Sequence, residues 1–322
     1  MKSEMIPIAG DASFRTFYRI KSKKKSKIIV LAKKEKYKNL IAYSAINKFL
    51  RINNILAPKL YGSNFSKGVI VIEDFGNISF HKILTQKKNK LVIYKKIIDL
   101  LFKIQKIQPK TKIESINGRF HRVRKYSRKQ LIKESDLFFD WYLPLFFKKK
   151  KVLNIKNKSK KILLNLYKKI NFSNSYFVHR DFHSQNLMKI KGKIGVIDSQ
   201  DAIIGNPAYD LVSLIDDVRI KTSKKLKNKI YDYYLIKNKK NFINNSKKFL
   251  EDFNILSVQR SLKIIGIFAR LLKRDKKDQY LKFIPYVWQI LELRMKGKIF
   301  LKLKEILDEN ISKKNRKINI KK

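Results

Sequence analysis

The chain shows two kinds of hydrophobic periodicity, which change over near residue 76. Before it, apolar residues come in short runs rich in β-branched and aromatic side chains. RTFYRIKS and KIIVLAKK, separated by a polar turn, predict two strands. NLIAYSAINKFLRINN then repeats Leu40, Ile41, Ser44, Ala45, Phe49 and Leu50 at helical spacing. APKLYGSN reads as a turn-rich break, and GVIVIEDFG as a continuous apolar strand ending at Glu73, Asp74 and Gly76. The expected order is strand, strand, helix, strand, strand, and a short connector.

From about residue 79 the pattern turns helical. Leu91, Tyr94, Ile97, Ile98, Leu101 and Ile104 share one face of a helix that Pro109 ends. YSRKQLIKESDLFFDWYLPLFF is a second apolar-faced helix, with Glu134 on its polar side. A Lys/Asn run at 148–161 reads as solvated. Segment 176–204 returns to strand, polar loop and strand, and the rest is helical, including VQRSLKIIGIFARLLKRD. These patterns predict an α+β, bilobal chain: a small antiparallel-sheet lobe over 1–76 with one helix, a larger helical lobe over 77–308, and a flexible basic tail over 309–322.

Composition narrows the chemistry. The 322 residues are 44% hydrophobic, enough for a sizeable core despite 32% charged residues. Cysteine is absent, which excludes disulfides, thiolate zinc sites and cysteine nucleophiles. Four histidines (His81, His121, His179, His183) are too few for a histidine-rich metal cage. No apolar run is long enough for a membrane span, and MKSEMIPIAGDASF has no signal-peptide core, so a cytoplasmic setting is expected. Lys plus Arg total 77 against 25 acids, a net charge of +52. The surplus is mostly Lys, spread along the chain and accompanied by Ile and Asn, as A/T-rich codons would produce. Without an Arg/aromatic cluster or a known module, no specific nucleic-acid partner is expected, although the field would attract anionic ligands such as nucleotides.

Four motifs carry chemistry. The strongest is HRDFHSQN followed by VIDSQD, in which Asp181 and Asn186 lie five apart and Asp198 twelve further on. That is the spacing of kinase-type phosphoryl transfer. Asn186 and Asp198 would supply hard oxygen ligands for Mg²⁺, and Asp181 would accept the proton of the attacking hydroxyl. His179 and His183 sit on a loop, where an i, i+4 metal pair does not form, and His179 would instead shape the loop through hydrogen bonds. In AGDASFRTFYRI, Gly10, Asp11, Ala12 and Ser13 form a small-residue turn between two short strands. Its N–H groups would approach phosphates, with Arg15 or Arg19 adding a charge-assisted donor; an ordinary hairpin turn is the plain alternative. VIEDFG suits a hinge whose backbone at Glu73 and Asp74 would bond adenine, or a strand end with solvated acids. In GNPAYDLVSLIDD, Asp210 would cap a helix or support the catalytic loop, while Asp216 and Asp217 read as surface charges.

At these residues the chain resembles the aminoglycoside phosphotransferase/choline kinase superfamily, and within it the anomeric N-acetylmuramate/N-acetylglucosamine kinases of peptidoglycan recycling. The narrower marks are GDASFR, the E-x-x-LF-x-x-W segment and QRSLKIIGIFARL. The resemblance implies a kinase-like fold with ATP and Mg²⁺ between its lobes, transfer of the γ-phosphate to the anomeric hydroxyl of an N-acetylated hexosamine, and a monomer acting on a small molecule. It makes Asp181 the base, Asn186 and Asp198 metal ligands, and the Gly10–Ser13 turn a phosphate cover. Glu134, Gln259, Arg260 and Arg270 are sugar-site candidates, an Arg being suited to a lactyl carboxylate; each also fits a helix-packing role. Two departures stand out. Ser199 replaces an apolar residue beside Asp198, which would loosen that carboxylate. A strand-three lysine is not fixed between Lys33 and Lys34. The rivals are another acceptor (choline, an aminoglycoside, homoserine) and a non-catalytic RNA- or membrane-associated protein on the same scaffold.

Overall fold

The computed structural model describes residues 4–8, 15–21, 26–32, 37–242 and 245–318. The chain forms two compact units. One is Met1–Lys125 with Ser175–Gly205; the other is Tyr126–Asn174 with Asn206–Lys322.

The first unit is built on a five-stranded antiparallel sheet. Its strands are β1 (Glu4–Ile8), β2 (Thr16–Lys21), β3 (Ser26–Leu31), β4 (Leu60–Asn64) and β5 (Val69–Glu73), in the order β1-β2-β3-β5-β4. The stretch expected to be a turn-rich break is thus partly strand. β4 pairs with β5, and its register shifts between Leu60 and Gly62, the irregularity that gives it a turn-like sequence. In β5, Ile70 and Ile72 point into the core while Val69, Val71 and Glu73 are half-buried, so the apolar run is an alternating strand with one wetter face. Helix α1 (Tyr37–Ile52) supplies Leu40, Ile41 and Tyr43 to the same core as Val30, Phe65, Ile70 and Ile72.

Helices α2 (Phe80–Gln86) and α3 (Lys90–Gln105) belong to this unit, as does a hairpin of β6 (Lys112–Glu114) and β7 (Phe120–Arg122). α3 buries Tyr94, Ile97, Ile98, Leu101 and Ile104, most of the face its periodicity marks, and ends at Gln105, before Pro109. The unit closes with β8 (Tyr176–Val178), β9 (Leu187–Ile190), β10 (Lys193–Val196) and β11 (Ile203–Gly205), paired as β8–β11 and β9–β10.

The second unit is helical. α4 (Arg128–Leu137) runs into a single π turn over Phe138–Tyr142 and a 3₁₀ turn over Leu143–Leu145, where one longer helix is expected. The π turn lies where the backbone of Leu137 and Phe138 meets Gly266; a Cβ on Gly266 would come within 2.3 Å of the Leu137 carbonyl carbon. α5 (Lys149–Lys168) occupies the Lys/Asn run. Val152, Ile155, Leu163, Leu166 and Tyr167 bury one side of it, and the lysines coat the other.

The remaining helices are α6 (Ala208–Ile215), α7 (Lys224–Lys237), α8 (Lys239–Phe242), α9 (Ser246–Asp275), α10 (Ile284–Arg294), α11 (Leu301–Asn310) and α12 (Lys313–Lys317). The stretch read as a basic tail therefore carries α12. Arg316 ion-pairs with Glu292 and Asp308 and lies 4.8 Å over the Trp288 ring, while Tyr142 donates to the Asn315 carbonyl.

Candidate active site

The loop after β8 is shaped by a buried histidine. His179 Nδ1 accepts from the Asp181 N–H at 3.3 Å, which leaves the proton on Nε2, 3.0 Å from the Ile197 carbonyl. The ring therefore ties the loop before Asp181 to the residue before Asp198. Arg180 holds φ +77° and Asp198 φ +62°, left-handed conformations that cost non-glycine residues energy and recur at functional loops.

Asn186 closes the loop from its other end. Its Nδ2 donates to the Asp181 carbonyl at 3.0 Å, so the other amide atom, Oδ1, is the acceptor left for a further partner. Its carbonyl accepts from the Ile197 N–H at 3.0 Å. The β9–β10 register pairs Leu187 with Val196, which sets Asn186 and Asp198 at the same end of one hairpin. That hairpin is anchored by Lys189 N–H to the Ile78 carbonyl and Val196 N–H to the Leu56 carbonyl, both at 2.8 Å. Asp181, Asn186 and Asp198 are all half-buried, and all three lie in the first unit.

Among the described residues, Arg15 is the ion-pair partner of Asp198. Its Nη2 sits 2.7 Å from Asp198 Oδ1 and its Nη1 3.0 Å from Gln200 Oε1; the Arg15 side chain is 5% exposed and that of Asp198 39%. Arg19 goes elsewhere. It forks onto Asp74 at 2.5 and 2.9 Å and reaches Asn77 at 2.8 Å. Burial pushes the Asp74 carboxyl up, but Arg19, Ser26 and the Gly76 N–H outweigh it and hold its pKa below the usual carboxylate value. At the expected hinge, the Glu73 N–H bonds the Lys59 carbonyl and the Gly76 N–H bonds Asp74. Gly10, Asp11, Ala12, Ser13, Lys33 and Lys34 lie outside the described residues.

Ser199 does not leave a hole beside Asp198. It is fully buried, and its hydroxyl donates to Asn47 Oδ1 at 2.7 Å. Asn47 is itself buried, on a helix that packs on nearly every side, where a polar side chain needs a partner. It also bonds Tyr43, whose hydroxyl burial raises to about 12. A polar lock between α1 and the segment carrying Asp198 thus stands where a loosened carboxylate was expected. Neither Asn47 nor Gln200 was singled out from the sequence; the one available signal was an Asn inside an otherwise apolar helix.

In the second unit, Glu134 is buried rather than on a polar face, because it meets Tyr126 at 2.5 Å, Gln130 at 2.9 Å and Lys263 at 3.1 Å. Gln259 joins that cluster, with Nε2 3.4 Å from Glu134 Oε2. Arg260 points to Ser213 at 2.8 Å, and Arg270 is half-buried with an unpartnered Nε. None of these four lines a cavity of about 230 Å³ in this unit, which is walled by Tyr126, Arg128, Tyr167, Asn171, Asn174 and Asn206 among others. Asp210 is buried inside the first turn of α6, while Asn206 Oδ1 accepts from the Ala208 N–H at the helix start. Asp216 and Asp217, expected on the surface, are buried. Asp216 is there because Lys227, Arg294 and Ser257 surround it.

Asp181, Asn186 and Asp198 thus lie around one loop and the end of the hairpin that follows it, and the comparison with known proteins shows what the chain is similar to. The model of the APH phosphotransferase enzyme family matches residues 4–240. The chain belongs to this family. Among curated phosphotransferases, an N-acetylmuramate/N-acetylglucosamine kinase of Neisseria meningitidis is 27% identical over 280 residues, covering 86% of this chain and 81% of the relative. One of the same name from Pseudomonas aeruginosa is 27% identical over 294 residues, covering 90% and 83%. The fold is shared with an ADP-bound aminoglycoside phosphotransferase (TM-score 0.61, 14% identity, 92% and 94% covered) and with an ethanolamine kinase of Plasmodium vivax (TM-score 0.62, 15% identity, 93% and 84% covered). Among the described residues no helix is long and apolar enough to cross a membrane.

Proposed function

We propose that this phosphotransferase moves the γ-phosphate of ATP to the anomeric hydroxyl of N-acetylmuramate or N-acetylglucosamine. The observation that carries the reading is the Asp181–Asn186–Asp198 arrangement, with the Asn186 amide turned so that its oxygen is the acceptor. The kinases similar to this chain carry the sugar in their names.

The donor set fits Mg²⁺. It offers one amide oxygen and one carboxylate, hard ligands and few, as suits an ion that keeps several waters and takes phosphate oxygens as well. Bound there, the metal would neutralise charge on the phosphates. The chain's own residues do the rest. His179 fixes the loop so that the Asp181 carboxylate is held to accept the acceptor's proton, and the β9–β10 hairpin keeps Asn186 and Asp198 together. For an acceptor carboxylate we propose Arg270. Of the four candidates it is the one residue that is only half-buried, with a buried Nε that has no partner among the described residues, whereas Glu134, Gln259 and Arg260 are buried.

The test is product identification by ³¹P NMR after incubation with ATP, Mg²⁺ and each of N-acetylmuramate, N-acetylglucosamine, choline and an aminoglycoside. A sugar 1-phosphate is expected. Phosphate transfer to choline or the aminoglycoside alone would refute the acceptor. Asp181→Asn should lower kcat by about 10² to 10⁴ while nucleotide affinity stays near wild type; normal turnover would remove Asp181 as the base.

A further inference from the structure

The ion pair between Arg15 and Asp198 places a cation on a carboxylate that the proposed function reserves for a metal. Arg15 is 5% exposed, gripped at 2.7 Å by Asp198 and at 3.0 Å by Gln200, with its guanidinium 5.7 Å from the Phe17 ring centroid. In sequence it lies two residues past Ser13, the last residue of the stretch expected to cover phosphates. Asp198 differs from the acids buried for structure, since more than a third of its side chain remains open. Helix α1 carries no acidic residue at all, so no carboxylate on that helix can hold a cation at this corner; its buried Asn47 holds Ser199 instead.

We propose that Arg15 is a removable counter-ion. In the nucleotide-free protein it masks Asp198. When a metal–nucleoside triphosphate enters, Asp198 turns to the metal and Arg15 passes to the phosphates. The reason is charge. A divalent cation and a nearly buried guanidinium on the same carboxylate repel each other, and the low-dielectric surroundings of Arg15 strengthen that repulsion. A triphosphate brings enough negative charge to take Arg15 away. Metal and nucleotide therefore bind cooperatively, each lowering the other's cost, and by linkage the coupling is reciprocal. Gln200 stays on the protein side as the fixed point from which the guanidinium swings. This inference rests on Asp198 being a metal ligand, as the proposed function has it.

The test reads metal binding rather than turnover. Mn²⁺ replaces Mg²⁺ as the probe, and its binding is followed by electron paramagnetic resonance with and without a non-hydrolysable ATP analogue. Wild type should bind Mn²⁺ weakly alone and about tenfold or more tighter with the analogue. In Arg15→Gln, Mn²⁺ should bind without nucleotide about tenfold more tightly than in wild type, and the gain on adding nucleotide should shrink. If Arg15→Gln does not fold, Gln200→Leu removes the Gln200 grip on Arg15 and should shift nucleotide-free Mn²⁺ binding the same way by a smaller factor. Unchanged or weaker nucleotide-free Mn²⁺ binding in the folded variants, with wild type taking up the Mn²⁺–analogue complex, overturns the role of Arg15 alone. Failure of wild type to take up that complex overturns the metal–nucleotide site itself, and this inference with it.

Discussion

Two aspartates, one in each unit, meet cations in opposite ways. Asp216 is buried and takes Lys227 at 2.8 Å, Arg294 at 2.9 Å through two nitrogens, and Ser257 at 2.7 Å. Among the described residues Asp198 meets one guanidinium, through one oxygen, with its side chain 39% open and its backbone in the left-handed region. A carboxylate closed in by several donors has no capacity to exchange partners, because moving any one of them strands a buried charge. A carboxylate held once and open to solvent can trade its partner at small cost. The same chemistry of acid and base thus serves structure in the helical unit and, under the proposed function, metal binding beside the sheet. What decides is burial and the number of donors, not residue type.

That contrast can be broken at either end. The largest expected stability effect is at Asp216. Asp216→Asn leaves Lys227 and Arg294 buried without their counter-charge and should cost about 3–5 kcal/mol in denaturant unfolding. Burial alone would raise the pKa of Asp216, but Lys227 and Arg294 drive it well below the usual range. Its folded pKa being depressed, its stabilisation is in full force above the unfolded value near 4 and is lost as pH falls through the folded pKa. A variant as stable as wild type at neutral pH would show that this network is not structural. A smaller effect is expected at Ser199. Ser199→Ala leaves Asn47 Oδ1 buried without its donor and should cost about 1–3 kcal/mol. A double-mutant cycle with Asn47→Ala should show coupling between the two, and strict additivity would remove the proposed lock between α1 and the segment carrying Asp198.

The sheet lobe, the helix α3 face and the HRDFHSQN–VIDSQD spacing were legible because each is local. Strand alternation, helical repeat and loop spacing are all set by neighbours in the chain. The buried acids were not legible. Asp216 owes its burial to Lys227 eleven residues on and Arg294 seventy-eight residues on, and Glu134 is joined by Gln259 at a separation of 125. A polar residue on an amphipathic helix reads as solvated until the fold supplies an internal partner. The Lys/Asn run at 148–161 is mostly exposed, as its lysines imply, but they hide the helix under it: within the run only Val152, Leu153 and Ile155 are apolar, and the buried stripe is completed beyond it by Leu163 and Leu166. Arg15 and Arg19 were equivalent in the sequence, four residues apart on one segment. The structure separates them by giving Arg19 to Asp74 and Arg15 to Asp198.

The central claim is that Asn186 and Asp198 hold a metal–nucleotide complex while Asp181 stands beside it unligated. Its most direct test is Mn²⁺ uptake in the presence of a non-hydrolysable ATP analogue across Asp198→Asn, Asn186→Ala and Asp181→Asn. The account predicts that the first two lose the Mn²⁺–nucleotide signal and that Asp181→Asn keeps it. Retention of the signal in Asp198→Asn, or its loss in Asp181→Asn with the other two unaffected, would contradict it.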